Sequence, residues 1–208
     1  MSGSVSTRMS AGLPLHVLNA KGAIDRSFGV EALTIIGGEN DQQRMYRSIV
    51  AARDSGYWIA PATEYALEWW SQGLKRERIL SRRADWFPPI AASDVFVSPL
   101  VQRPQTQLRE LWQDSSGLIF ANIGTAAADW RQTVSRSDDH VPVVSLQDFH
   151  KYVDTIIEVI DPNAATILAT LRSPGILGQV ENGPYVWSIK TTNTGRIAVD
   201  VFRMEYAK

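Results

Sequence analysis

Apolar positions recur three and four apart through much of this chain, and the most regular run lies between Ser145 and Ile160. There Phe149, Tyr152, Val153, Ile156, Ile157 and Ile160 form the stripe of an amphipathic helix. Ser145 and Asp148 make a capping pair at its start. The spacing predicts a helix over Ser145–Ile160 with Lys151, Thr155 and Glu158 on its wet side. After Asp161-Pro162 the pattern continues as a second helix with Ala164, Ile167, Leu168 and Leu171 buried, broken by Pro174-Gly175.

Similar spacing is found upstream. Met45, Ile49 and Ala52, with Tyr46 and Val50 beside them, predict a helix capped by Asn40 or Asp41 and stopped by Gly56. Pro61 opens another through "ATEYALEWWSQ", extending past Gly73 to Ala84 before Pro88-Pro89 ends it. "PQTQLRELWQD" and "TAAADWRQTV" complete the helical set.

Between these lie segments rich in β-formers: "LPLHVLNA", "GVEALTIIGG", "DVFVSPL", "GLIFANI" and "VPVVS". "KGAIDRSFG" reads as the spacer between the first two. The chain closes with "PYVWSIKT", the turn "TNTG" and "RIAVDVFRMEY", a β-hairpin with Gly195 in the left-handed position. Tyr185, Trp187 and Ile189 alternate with Val186, Ser188 and Lys190. Ile197, Val199 and Val201 likewise alternate with Ala198 and Phe202, with Met204 farther along on the Phe202 side, so both faces are apolar. The expected fold class is α+β, with a mixed α/β variant as the alternative: helices packed on a small mixed or antiparallel sheet, with a C-terminal β-hairpin. Residues 1–11, small and polar, read as a flexible arm. Residues 12–208 read as one globular domain, with a subdivision near 85–94 as the alternative.

Composition narrows the chemistry. The 208 residues contain no Cys, which removes disulfides, thiolate catalysis and Cys-based zinc sites. No signal-like or long apolar run is present, so a cytoplasmic location and no membrane partner are the default expectations. The net charge of −1 argues against a dedicated nucleic-acid protein. Seven Trp suit a core or an interface, and most of them are expected in the core.

Three stretches are candidates for chemistry. "TIIGGEND" resembles a strand-to-helix turn, but it lacks the glycine spacing and Lys-Ser/Thr pair of a phosphate loop, and Glu39 and Asp41 repel phosphate. "SDDHVPVVSLQDFHKYVD" gathers Asp138, Asp139, His140, Asp148, His150 and Asp154. His150 and Asp154 share a helix face at that spacing, yet no metal motif is matched. "GLKRERILSRRADWF" carries Lys75, Arg76, Arg78, Arg82 and Arg83, which on a helical wheel fall within about 160°. Such a face suits a phosphate backbone, an acidic protein or plain solvent.

With no catalytic constellation and no cofactor motif, the chain reads as a non-enzymatic interaction or assembly subunit of a larger complex, with a protein partner or self-association. Tyr185, Trp187, Phe202 and Met204 of the hairpin are its candidate interface. The alternatives are a nucleic-acid-binding accessory or regulatory protein using residues 75–83, and a metal-dependent hydrolase built on the Asp/His loop 138–154.

Overall fold

The computed structural model describes residues 10–11, 15–29, 34–35, 47–88, 103–136, 142–144, 148–180, 184–192 and 194–206. Most of them lie in antiparallel strands, and nearly all of the regular secondary structure is β. Two four-stranded sheets form its centre. Sheet I is a meander of β5 (Arg47–Ala52), β6 (Gly56–Pro61), β7 (Ala66–Ser71) and β8 (Arg76–Ser81). Sheet II orders β14 (Thr166–Pro174), β13 (Val153–Asp161), β10 (Ile119–Ala126) and β9 (Gln107–Gln113). A three-stranded sheet III orders β15 (Leu177–Gln179), β16 (Tyr185–Thr191) and β17 (Ile197–Arg203). Three two-stranded ladders complete the set: β1 (Ser10–Ala11) with β4 (Thr34–Ile35), β2 (Leu15–Leu18) with β3 (Ile24–Phe28), and β11 (Val134–Arg136) with β12 (Pro142–Val144).

The sheets stack in chain order. Phe28 of β3 lies against Tyr57 and Trp70 of sheet I, 6.2 and 5.4 Å between ring centroids, and Arg47 Nη1 donates to Gly29 O. The other face of sheet I meets sheet II through Trp58, Ala60 and Leu67 on one side and Leu108, Leu111, Ile123, Ile156 and Ile160 on the other. The far face of sheet II packs Phe120, Trp112, Ile157 and Val159 against Leu177 and Val186 of sheet III. Each side chain of this size contributes roughly 1.5–3 kcal/mol on burial, which fixes the stacking.

The expected α+β architecture is therefore overturned. Phe149–Tyr152 is a single helical turn, and Trp130–Thr133 is a 3₁₀ turn. The helix predicted over Ser145–Ile160 is mostly β13, whose residues 155–160 are all buried. Sheet II is the middle layer, so β13 and β10 are covered on both faces and are apolar at nearly every position. Within such a run, Val153, Ile156, Ile157 and Ile160 reproduce helical spacing by coincidence. Thr155 and Glu158, expected to be wet, are among the most deeply buried residues. The helices expected over residues 61–84, 104–114 and 161–171 are replaced by β7 and β8, β9 and β14, and the described part of the one expected around 40–56 is β5.

Local chemistry explains the hairpins. Asp114 Oδ1 accepts from the amides of Ser116 and Leu118, and Asp161 Oδ1 from those of Asn163 and Ala164. Short acidic side chains at these positions hold the chain in a turn. Ser55, Leu74 and Ala165 take positive φ at three other turn positions. At the N-terminus the expected spacer is itself a strand, β3, and Ser10–Ala11 of the expected arm pairs with Thr34–Ile35. Most of "TIIGGEND" and all of "DVFVSPL" lie outside the described residues. "GLIFANI" and "VPVVS" do contain strands, and the C-terminal hairpin is present with Gly195 at φ 77°.

Candidate functional site

The hairpin of β16 and β17 is the outermost layer of the stack. Its register pairs Trp187 with Val201, Ile189 with Val199 and Thr191 with Ile197, and directly paired residues point to the same side. One face turns inward, where Val186 is 1% exposed against sheet II. The other face looks outward and is apolar: Tyr185 is 42% exposed, Ile189 55%, Val199 58%, Val201 60% and Ile197 66%. Trp187 lies among them, its indole resting on Gly178 and its Nε1 donating to Gln179 O at 3.2 Å. A Cβ at position 178 would come within 2.3 Å of the indole, so any side chain there requires Trp187 to move.

Tyr185 and Trp187 thus share this outward face. Phe202 pairs with Val186 on the other face and is still 48% exposed, while Met204 packs against the core between sheets II and III. Ile189, Ile197, Val199 and Val201 complete the patch, and the alternation already visible in the sequence was sufficient to include them. β17 is also an edge strand of sheet III. Beside this sheet a cleft of about 1120 Å³ opens between Ile49–Ala51, the β9–β10 turn and Arg203–Tyr206.

The basic stretch forms no helical stripe. Lys75 precedes β8, Arg76 and Arg78 lie within it, and Arg82 and Arg83 follow it. Arg76 Nη1 bonds Glu68 Oε1 at 3.1 Å, and Arg78 stacks over Trp58 at 5.2 Å. Arg82 Nη1 donates to both oxygens of Glu158, at 2.6 and 2.8 Å, and lies over the rings of Tyr65 and Trp86. Lys75 and Arg83 are exposed.

Glu158 is the most deeply buried acid, 1% exposed, and faces sheet I from β13. Tyr65 Oη donates to its Oε2, and the phenol is held protonated well above its ordinary range, first by burial and then by this hydrogen bond. The same carboxylate raises the Arg82 guanidinium, chiefly through hydrogen bonding. Every member of the cluster is occupied by another, which suits a clamp between sheets better than a reacting centre.

Of the Asp/His loop, Asp148 and Asp154 are described with their side chains, and both line one cavity beside Asp129. Asp148 pairs with Lys151 and Asp154 with Arg172. Asp138, Asp139 and His140 lie outside the described residues, as does the side chain of His150. Among the described residues no three His, Asp or Glu side chains gather closely enough to hold a metal, and no helix is long and apolar enough to cross a membrane.

No family model matches this chain, and no curated protein matches it.

Proposed function

We propose that the protein is a non-enzymatic assembly subunit that docks through the outward face of its C-terminal hairpin, with a second copy of itself as the partner. The observation that carries this reading is the patch made by Tyr185, Trp187, Ile189, Ile197, Val199 and Val201, open to water on the last layer of the stack. Half-exposed side chains of this number make a patch on the order of a few hundred Å², the size at which exposed apolar surface marks an interaction site. Sheets I, II and III cover one another's facing apolar sides. Antiparallel four-stranded sheets stacked in this way are the construction used for propeller blades, so the next layer expected on sheet III is another sheet.

A second copy supplies such a sheet. Arg203 is the one charged residue on the outward face and lies at its end, so two identical faces meet without opposed charges at their centre. Among the described residues no strand pairs with the outer edge of β17, which offers the same partner a second contact. Antiparallel pairing of two β17 strands about Val199 sets Ile197 opposite Val201 and Asp200 opposite Ala198, which separates the two aspartates.

Sedimentation velocity over a concentration series tests the proposal. The native chain should associate reversibly, and Val199→Lys with Val201→Lys should stay monomeric with nearly unchanged melting. A native chain that is monomeric at every concentration removes the proposal.

A further inference from the structure

A different part of the molecule carries a second inference, independent of the hairpin. β8 is the last strand of sheet I, and among the described residues β7 alone pairs with it. Arg82 N donates to Tyr65 O just past the ladder, whose register then sets Leu67 opposite Leu80 and Trp69 opposite Arg78. In an antiparallel pair alternate residues exchange both backbone bonds with the neighbour. Arg78 and Leu80 therefore turn their N–H and C=O groups toward β7, while Ile79 and Ser81 turn theirs to the outer edge. Both of these residues are exposed, Ile79 at 48%.

The cations of the basic stretch are strung along this edge. Arg76 is held by Glu68 and Arg82 by Glu158, whereas Arg78 lies over the Trp58 ring and pairs with no carboxylate among the described residues. Lys75 and Arg83, at the two ends, are exposed and have no ion pair among the described residues. Residues 75–83 carry Lys75, Arg76, Arg78, Arg82 and Arg83 against the single acid Glu77, in a chain whose net charge is −1. Cations on an edge strand keep like strands from pairing with it. Two β8 strands side by side would oppose these charges, which removes a second copy as the occupant. A strand of opposite sign is drawn in instead. Phosphates of a nucleic acid accept hydrogen bonds but donate none, so they would leave the outward C=O groups of Ile79 and Ser81 unanswered. A peptide backbone answers both kinds of group.

We propose that β8 receives an acidic, extended peptide segment of another protein, added as a further strand of sheet I. The backbone of that segment pairs with Ile79 and Ser81, and an apolar side chain covers Ile79. Its carboxylates meet Lys75 and Arg83 toward the ends.

The test is fluorescence anisotropy of a labelled peptide of about ten alternating Glu and Val residues, measured beside its Lys-Val counterpart and a labelled oligothymidylate. The native chain should bind the acidic peptide, and more weakly as salt rises. Lys75→Glu with Arg83→Glu should lower that affinity about tenfold while melting stays unchanged. Ile79→Pro removes an outward N–H that the ladder does not use, so it should fold and fail to bind. In the native complex the amides of Ile79 and Ser81 should gain protection from hydrogen exchange, a readout that stands even if Ile79→Pro does not fold. The proposal is overturned if the native chain leaves the acidic peptide free or binds the two peptides alike. It is equally overturned if the charge variant binds as the native chain does, or if exchange at Ile79 and Ser81 is unchanged in the complex. Tighter binding of oligothymidylate than of the acidic peptide would assign the edge to nucleic acid and overturn it as well.

Discussion

Glu158 stands at the centre of six consecutive buried positions in β13 yet keeps its carboxylate by bonding to Tyr65 and Arg82 across the sheet interface. Removing the cation should expose how much the clamp depends on pairing. Arg82 is 39% exposed, so part of the lost attraction is recovered from water, and Arg82→Met should cost about 2–3 kcal/mol in denaturant unfolding. No change there would mean that the pair is idle. Tyr65 gives a second, pH-resolved prediction. Its folded-state proton is held above the ordinary range, so its contribution is complete below pH about 10 and declines above it, as the unfolded chain ionises first. The decline is about 1.4 kcal/mol per pH unit for one proton. Unfolding free energies between about pH 9 and pH 11 should therefore fall more steeply for the native chain than for Tyr65→Phe; parallel slopes would contradict the assignment. The sequence did hold a signal for Glu158, namely a lone acid inside "TIIEVI". It was lost because helical spacing placed that residue on the wet side.

Among the elements, β13 shows why periodicity misled. A strand buried on both faces has no alternation to display, so period alone cannot separate it from a helix. The composition does separate them. Val153, Thr155, Ile156, Ile157, Val159 and Ile160 are all β-branched, a choice that suits a pleated sheet and crowds a helix. The repeated turn signals "RDSG", "SQGLK", "DSSG" and "DPNAA" also fall where hairpins reverse. The C-terminal hairpin was legible because a clear turn, with Gly195 at positive φ, separates two runs of β-formers. Two substitutions test these assignments. Ile157→Ala removes a side chain 1% exposed in the core between sheets II and III and should cost about 2–5 kcal/mol; a cost near zero would refute its burial. Gly178→Ala should force Trp187 off the strand beneath it, seen as a red shift of its fluorescence, whereas unchanged emission would place the indole elsewhere.

Across the whole molecule, layers follow one another from the β2–β3 hairpin through sheets I, II and III, and the last layer ends on an apolar face. The candidate interface was partly visible beforehand: Tyr185 and Trp187 lie on that face, while Met204 belongs to the core beneath it. The basic stretch looked like a surface because a wheel placed its charges together. In and just after β8, three of its arginines are engaged by Glu68, Trp58 and Glu158. Hydrogen exchange measured at dilute and at high protein concentration tests the assembly reading most directly, because it locates the contact as well as detecting it. Protection of residues Tyr185–Arg203 should rise with concentration while that of β10 and β13 stays constant. Exchange in the hairpin that is the same at both concentrations would contradict the proposed docking face.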